Sequence, residues 1–231
     1  DALEAIDIDY EPLPHLSGTL DTLAENAPVL HSDVMKSNLL SAHEDRMGEP
    51  EARMADAEMI AEGRFYINRV SALPMETRGI VAVWRPAARE LLIYAATQTP
   101  HLVRQQFAES LRLDESAIRV VASDVGGGFG MKLGVNPEEL LAALHAMALR
   151  HPVKWTEDRL EFFRASNQAR ESVFDYRIGA EADGRIAAIT TQYTTDLGAW
   201  NSTYGSAQLS SVTFTGPYKV PDAMVERRVA I

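Results

Sequence analysis

The sequence predicts an α+β protein in which mixed sheets pack against helices. Alternation of apolar and polar residues marks the strands, most clearly where Phe174, Tyr176 and Ile178 interleave with Asp175 and Arg177. Between such runs lie segments whose apolar residues recur at helical spacing, so that strands, helix, strand, helix and strands follow in order.

Taken along the chain, Ile6 to Tyr10 reads as a strand that exits through Pro12 and Pro14. Residues 15–57 are polar and weakly patterned, and read as a connecting arm laid over a surface. Arg64 to Val70, Gly79 to Trp84 and Leu91 to Ala96 read as strands, with the turn between the last two at residues 85–89. Pro100 opens a helix whose Val103, Phe107 and Leu111 share one face. Ile118 to Ala122 is a short apolar strand. The second helix has Asn136 as its N-cap, Pro137 at the first position and Glu138 and Glu139 in the first turn. Its apolar stripe is Leu140, Leu141, Leu144, Met147 and Ala148, and it stops before His151-Pro152. Val153 to Thr156 is a strand, and the strand at residues 174–178 turns at Asp183-Gly184 into a partner from Ile186 to Thr194.

The bulk composition excludes several function classes. A net charge of −11 is unsuited to phosphate backbones, so no nucleic-acid partner is expected. No run of about 18 apolar residues exists, so no membrane span is expected. The sequence has no cysteine, which removes disulfides, iron–sulfur ligation and cysteine zinc sites from these residues and fits a cytoplasmic protein. The chain opens Asp1-Ala2-Leu3-Glu4, without a secretory leader pattern, and closes in strand-like sequence. An internal piece of a longer polypeptide is expected.

Gly126, Gly127, Gly128 and Gly130 crowd the turn between the strand at 118–122 and the second helix. Glycines so dense cost unfolded-state entropy and suit a backbone that turns tightly or lets a ligand approach its amides. The dinucleotide fingerprint fails, because its last glycine falls on Met131. The phosphate-loop pattern fails as well, because Met131 separates Gly130 from Lys132 and Leu133 follows. From the residues alone, an anion cradle and a ligand-free tight turn both stay open.

The string from Val125 to Lys132 resembles the Gly-Gly-Gly-Phe-Gly loop of the xanthine dehydrogenase, aldehyde oxidase and aerobic carbon monoxide dehydrogenase family. Other segments agree in order: Pro74-Met75-Glu76-Thr77, Thr97-Gln98-Thr99-Pro100-His101, Pro152-Val153-Lys154 with Asp158-Arg159 behind it, and Gly216-Pro217-Tyr218. The resemblance spans the whole chain. It implies the first molybdenum-cofactor-binding domain of a large subunit, with residues 1–57 closing a preceding hammerhead-like domain and forming the arm, and residues 58–231 beginning the molybdopterin-binding part.

The resemblance also implies a cofactor, molybdopterin with molybdenum, expected as the cytosine dinucleotide. It implies iron–sulfur and FAD groups on partner subunits or domains. Gln98 would sit beside the molybdenum and hydrogen-bond an oxo ligand, and Gly127, Gly128, Phe129 and Gly130 would approach the metal and pterin. No direct metal ligand and no catalytic residue is expected here, because the family's catalytic glutamate lies further along than Ile231. The implied reaction is oxidation of an aldehyde, an N-heterocycle or carbon monoxide, with water as the oxygen source. Leu133 stands where the xanthine-oxidising members carry a glutamate, and Leu209 falls near their purine-orienting arginine, so xanthine is not the expected substrate. The rival reading is a non-catalytic folding or interaction module, or a cofactor-free paralogue. For Phe129 core packing is the rival role, and for Lys132 and Arg159 a structural charge. His101, His145 and His151 are the nearest metal-ligand candidates, but no ligating pattern joins them and solvated or capping roles are expected.

Overall fold

A computed structural model describes residues 2–199, 208–209 and 212–231. The chain forms two compact units. The first takes residues 1–70 and 169–231, and the second residues 71–168.

The first unit is built on a five-stranded sheet. Its strands are β1 (Leu39–Met47), β2 (Met59–Ile67), β7 (Ser172–Ala180), β8 (Ile186–Asp196) and β9 (Asp222–Ala230), in the spatial order β1-β9-β8-β7-β2. Only β8 and β9 run parallel, in register from Ala188 opposite Asp222 to Asp196 opposite Ala230. Short helices α1 (Thr19–Thr22) and α2 (Pro50–Ala55) accompany the sheet, and Met54 of α2 is buried. The alternation at residues 174–178 is that of β7, and an aromatic row results: Phe174 stacks on Tyr176 and on Tyr193 of β8.

Two sequence expectations change here. Ile6 to Tyr10 is not a strand but an exposed stretch after a 3-10 turn at Leu3–Ala5. The polar segment 15–57 contains α1, β1 and α2. β1 is a sheet edge paired only to β9, so it needs no strong apolar alternation, and the sequence signal is weak for that reason.

The second unit carries the four-stranded sheet β5-β4-β3-β6, made of β3 (Gly79–Arg85), β4 (Glu90–Ala95), β5 (Ile118–Val121) and β6 (Val153–Thr156). β4 and β5 are parallel and the other pairs antiparallel. Helices α3 (Pro100–Leu111) and α4 (Pro137–Leu149) lie on one face. Ile80, Ala82, Leu91, Ile93 and Ala95 of the sheet meet Val103 and Phe107 of α3 and Ala142, Ala143 and Ala146 of α4. α3 buries the face expected from its spacing. α4 does so only in part: Leu140 and Met147 pack on the core, but Leu141 is 51% exposed, Leu144 44% and Ala148 is exposed, and Ala142, Ala143 and Ala146 are buried instead. Small side chains let α4 approach the sheet closely, and packing density there outweighs side-chain size.

A further helix, α5 (Arg159–Ala165), follows β6. The Asp158 side chain accepts from the Leu160 and Glu161 N–H groups, and Glu161 accepts from the Asp158 N–H in return. This reciprocal cap is readable in the sequence as Asp158-x-x-Glu161.

Candidate cofactor-binding site

The site lies within the second unit and follows from its parallel pair. β4 and β5 run in the same direction and each feeds a helix, so their two strand-to-helix connections leave the same end of the sheet. That end is where open α/β sheets place their ligands. One connection is Thr97-Gln98-Thr99; the other is the glycine loop. Gln98 and the loop, about thirty residues apart in sequence, are neighbours for this topological reason.

Hydrogen bonds sew the two connections together. The Gln98 N–H donates to the Lys132 carbonyl at 3.0 Å, and Thr97 Oγ1 donates to the same oxygen at 3.1 Å. Gln98 Oε1 accepts from the Gly130 N–H at 2.9 Å and the Lys132 N–H at 3.3 Å. Gly134 N–H donates to Thr99 Oγ1 at 3.3 Å and Val135 N–H to Gln106 Oε1 at 2.7 Å. Two N–H donors converge on one end of the Gln98 amide. They fix its orientation, because the reversed amide would set donor against donor. Its NH2 is left with no acceptor among the described residues, on an exposed side chain.

The loop backbone has an unusual shape. Gly127 and Gly130 both have φ +91°, a conformation that L side chains rarely adopt. A Cβ on Gly128 would collide with Oε1, Cδ and Cγ of Gln98. Phe129 has φ +52° and is 74% exposed, so core packing is not its role within this chain. Holding a bulky residue there costs about 1–3 kcal/mol, and such strain gathers at ligand sites. The N–H groups of Gly128 and Phe129 have no acceptor among the described residues. Two free amides, a free carboxamide NH2 and a wall without side chains match an oxygen-rich, anionic group.

Charges frame the loop from below. Lys132 is 2% exposed and its Nζ lies 2.8 Å from Glu76 Oε2. The same oxygen accepts from the Gly126 N–H at 2.7 Å, and the Glu76 N–H donates back to the Gly126 carbonyl at 3.1 Å. Burial works against the charged carboxylate of Glu76, yet Lys132 and the Gly126 N–H together hold it below the usual carboxylate range. Arg159 donates to the carbonyls of Pro74 at 2.9 Å and Met75 at 3.0 Å. Lys132 and Arg159 are thus structural charges. Glu76 belongs to a segment that the sequence singles out, but its function was not legible there, because nothing local says that a carboxylate will meet residues 50 or more positions away.

A second ion pair anchors the strands that lead to the site. Arg78 donates to Glu157 Oε1 through one terminal nitrogen at 2.6 Å and through Nε at 3.0 Å, and both residues are buried. Burial works against the charged guanidinium, but Glu157 outweighs it and raises the Arg78 pKa. Trp155 lies 5.4 Å beneath the guanidinium. Beside this pair opens a cleft of about 240 Å³, lined among others by Glu76, Arg78, Tyr94, Asp124 and Lys154.

The remaining candidates are not brought together. No group of three or more His, Asp or Glu able to hold a metal exists among the described residues. His145 Nδ1 bonds to the Leu141 carbonyl of its own helix at 2.7 Å. Leu133 is 51% exposed and Leu209 is 63% exposed. No helix among the described residues is long and apolar enough to cross a membrane.

Known proteins resemble this chain over most of its length. Residues 30–231 match the model of the molybdopterin cofactor-binding domain. The carbon monoxide dehydrogenase large chain of Hydrogenophaga pseudoflava is 31% identical over 96% of this chain and 30% of its own length. The nicotine 6-hydroxylase large subunit of Paenarthrobacter nicotinovorans is 33% identical over 96% of this chain and 28% of its own. Among solved structures, quinoline 2-oxidoreductase from Pseudomonas putida 86 superposes with a TM-score of 0.87 at 34% identity, over 99% of this chain and 29% of that one. The chain therefore spans about 30% of the length of the relatives it matches. On the match that covers most of its length, this chain belongs to the molybdopterin cofactor-binding domain family of molybdenum hydroxylase large subunits.

Proposed function

We propose that Gln98, Gly127, Gly128, Phe129 and Gly130 form part of the cradle for a molybdopterin cofactor, in the large subunit of an enzyme that oxidises an aldehyde, an N-heterocycle or carbon monoxide. The observation that carries the reading is the Gln98 amide. Its oxygen is tied to the glycine loop on one side, so its NH2 is presented on the other. A neutral donor there binds an oxo or phosphate oxygen without adding charge. The free N–H groups of Gly128 and Phe129 supply two more fixed donors, and preorganised dipoles of this kind cost no reorganisation when charge develops on a ligand. When bound, the cofactor supplies the two-electron oxidation with water as the oxygen source. This chain's part is to bind and orient it, and Phe129 screens it from solvent.

The cytosine dinucleotide form of the cofactor belongs to the same proposal, as do iron–sulfur and flavin partners and a cytoplasmic location, which the cysteine-free sequence fits. Residues 1–57 are proposed as the end of a preceding hammerhead-like domain with its connecting arm, and residues 58–231 as the start of the molybdopterin-binding part; residues 2–18 are exposed over most of their length. The test is metal analysis of the intact subunit, expressed together with a molybdopterin pathway. Stoichiometric molybdenum is expected. A folded, molybdenum-free protein would overturn the reading in favour of a non-catalytic module.

A further inference from the structure

We propose that Glu76 and Lys132 act together as a latch that closes the base of the glycine loop and sets it for the cofactor, with Arg159 anchoring the latch from behind. The inference rests on the cradle reading above and goes beyond it, because neither residue touches the proposed ligand; both are positioning residues.

The geometry converges on one atom. Glu76 Oε2 accepts from Gly126 N–H at 2.7 Å, where the loop begins, and from Lys132 Nζ at 2.8 Å, where it ends. Both ends of the loop are therefore tied to a single carboxylate oxygen. Lys132 works in two directions. Its backbone N–H and carbonyl bond to Gln98, and its side chain reaches Glu76. Gln98 is thereby held to the same frame as the loop. The ammonium is almost wholly buried, at 1% side-chain exposure, and Glu76 is its acceptor. A buried charge with a single counter-ion strongly favours the geometry that keeps the pair together.

The carboxylate is itself held in place. Arg159 grips the two carbonyls before it, those of Pro74 and Met75. A Cβ on Gly126 would come within 2.5 Å of the Glu76 Cβ, so only glycine lets the loop approach this residue so closely. Between the tied ends, Gly127, Phe129 and Gly130 keep positive φ values, and the Gly128 and Phe129 N–H groups stay free. Gln98 restrains the far half of the loop through the Gly130 and Lys132 N–H groups, and the tie to Glu76 fixes its start, so that losing the tie frees the Gly126 end to relax.

The test uses the intact large subunit loaded with molybdopterin. Lys132→Met should release molybdenum at least about tenfold faster than wild type, whereas Lys132→Arg, which keeps the charge, should recover most of the retention. Glu76→Gln should behave like Lys132→Met. Equal retention in the methionine and arginine variants, both folded, would overturn the latch and leave only a packing role. Amide exchange of the wild-type protein supplies a second readout that needs no variant. In cofactor-free wild-type protein the Gly126 and Lys132 amides should exchange slowly, and the Gly128 and Phe129 amides, which no cofactor then covers, quickly. If Gly126 exchanges as fast as Phe129, the latch does not exist, whatever the variants do. A wild-type subunit that carries no molybdenum would instead count against the cradle reading, and the exchange result would still decide on the latch.

Discussion

Two of the ion pairs in the second unit share their chemistry and differ in their surroundings. In Arg78–Glu157 both side chains are buried, at 2% and 0% exposure, and the contact joins the start of β3 to the residue after β6. In Lys132–Glu76 the ammonium is equally buried, but the carboxylate is 43% exposed, and the contact joins a loop to a loop. The difference separates stability from positioning. A fully enclosed pair leaves an uncompensated charge inside the fold when one partner is lost. A half-open pair lets water take the place of the missing partner, so its loss shows in the shape of the loop before it shows in the stability of the unit.

This contrast can be broken by mutation. Glu157→Gln should have the largest effect on stability, about 3 kcal/mol lost in denaturant unfolding, because buried Arg78 then keeps only its 3.3 Å contact to the partly exposed Glu138. An unfolding midpoint near wild type would show that the pair is not as closed as it looks. Gly128→Ala should come next, and differently: its Cβ displaces the Gln98 amide, so molybdenum content falls while far-UV circular dichroism stays that of the wild type. Gln98→Ala removes the acceptor of the Gly130 and Lys132 N–H groups and should cost about 1 kcal/mol of stability together with cofactor retention.

The pH dependence sharpens the same contrast. Glu76 has its pKa lowered, so it contributes stability above its unfolded value, and that contribution is lost as pH falls through the folded one. Acid should therefore open the latch, seen as a fall in the protection factors of the loop amides relative to their intrinsic exchange rates at each pH. Glu139 behaves oppositely: burial raises its pKa against the bonds it accepts from Asn136. Its protonated form suits the fold, so its contribution is full below the unfolded value and fades as pH rises through the folded one. Glu139→Gln should flatten that fading limb of the pH–stability profile with a small effect elsewhere, and an unchanged profile would show that the buried carboxyl is not the cause.

The sequence carried the second unit better than the first. β3, β4, β5, β6, α3 and the start of α4 follow from local signals, since each is a short apolar run or a capped, periodic segment. α4 shows the limit of such reading: Leu141 and Leu144 look like core residues, yet Ala142, Ala143 and Ala146 are buried in their place, because closeness to the sheet is a tertiary property. β1 was illegible because an edge strand paired on one side needs little pattern. In the site, Gln98 and the glycines stand out through their resemblance to a family, while the convergence of Gly126 and Lys132 on one Glu76 oxygen depends on two loops meeting in space and has no local signature.

In the function proposed above, Gln98 and the glycine loop together hold the molybdopterin cofactor. This is tested most directly by molybdenum analysis of intact wild-type subunit and of its Gly128→Ala variant, purified side by side. A loaded wild type and a folded variant with its molybdenum reduced about tenfold or more is the expected result. A folded Gly128→Ala variant with the molybdenum content of the wild type would contradict it.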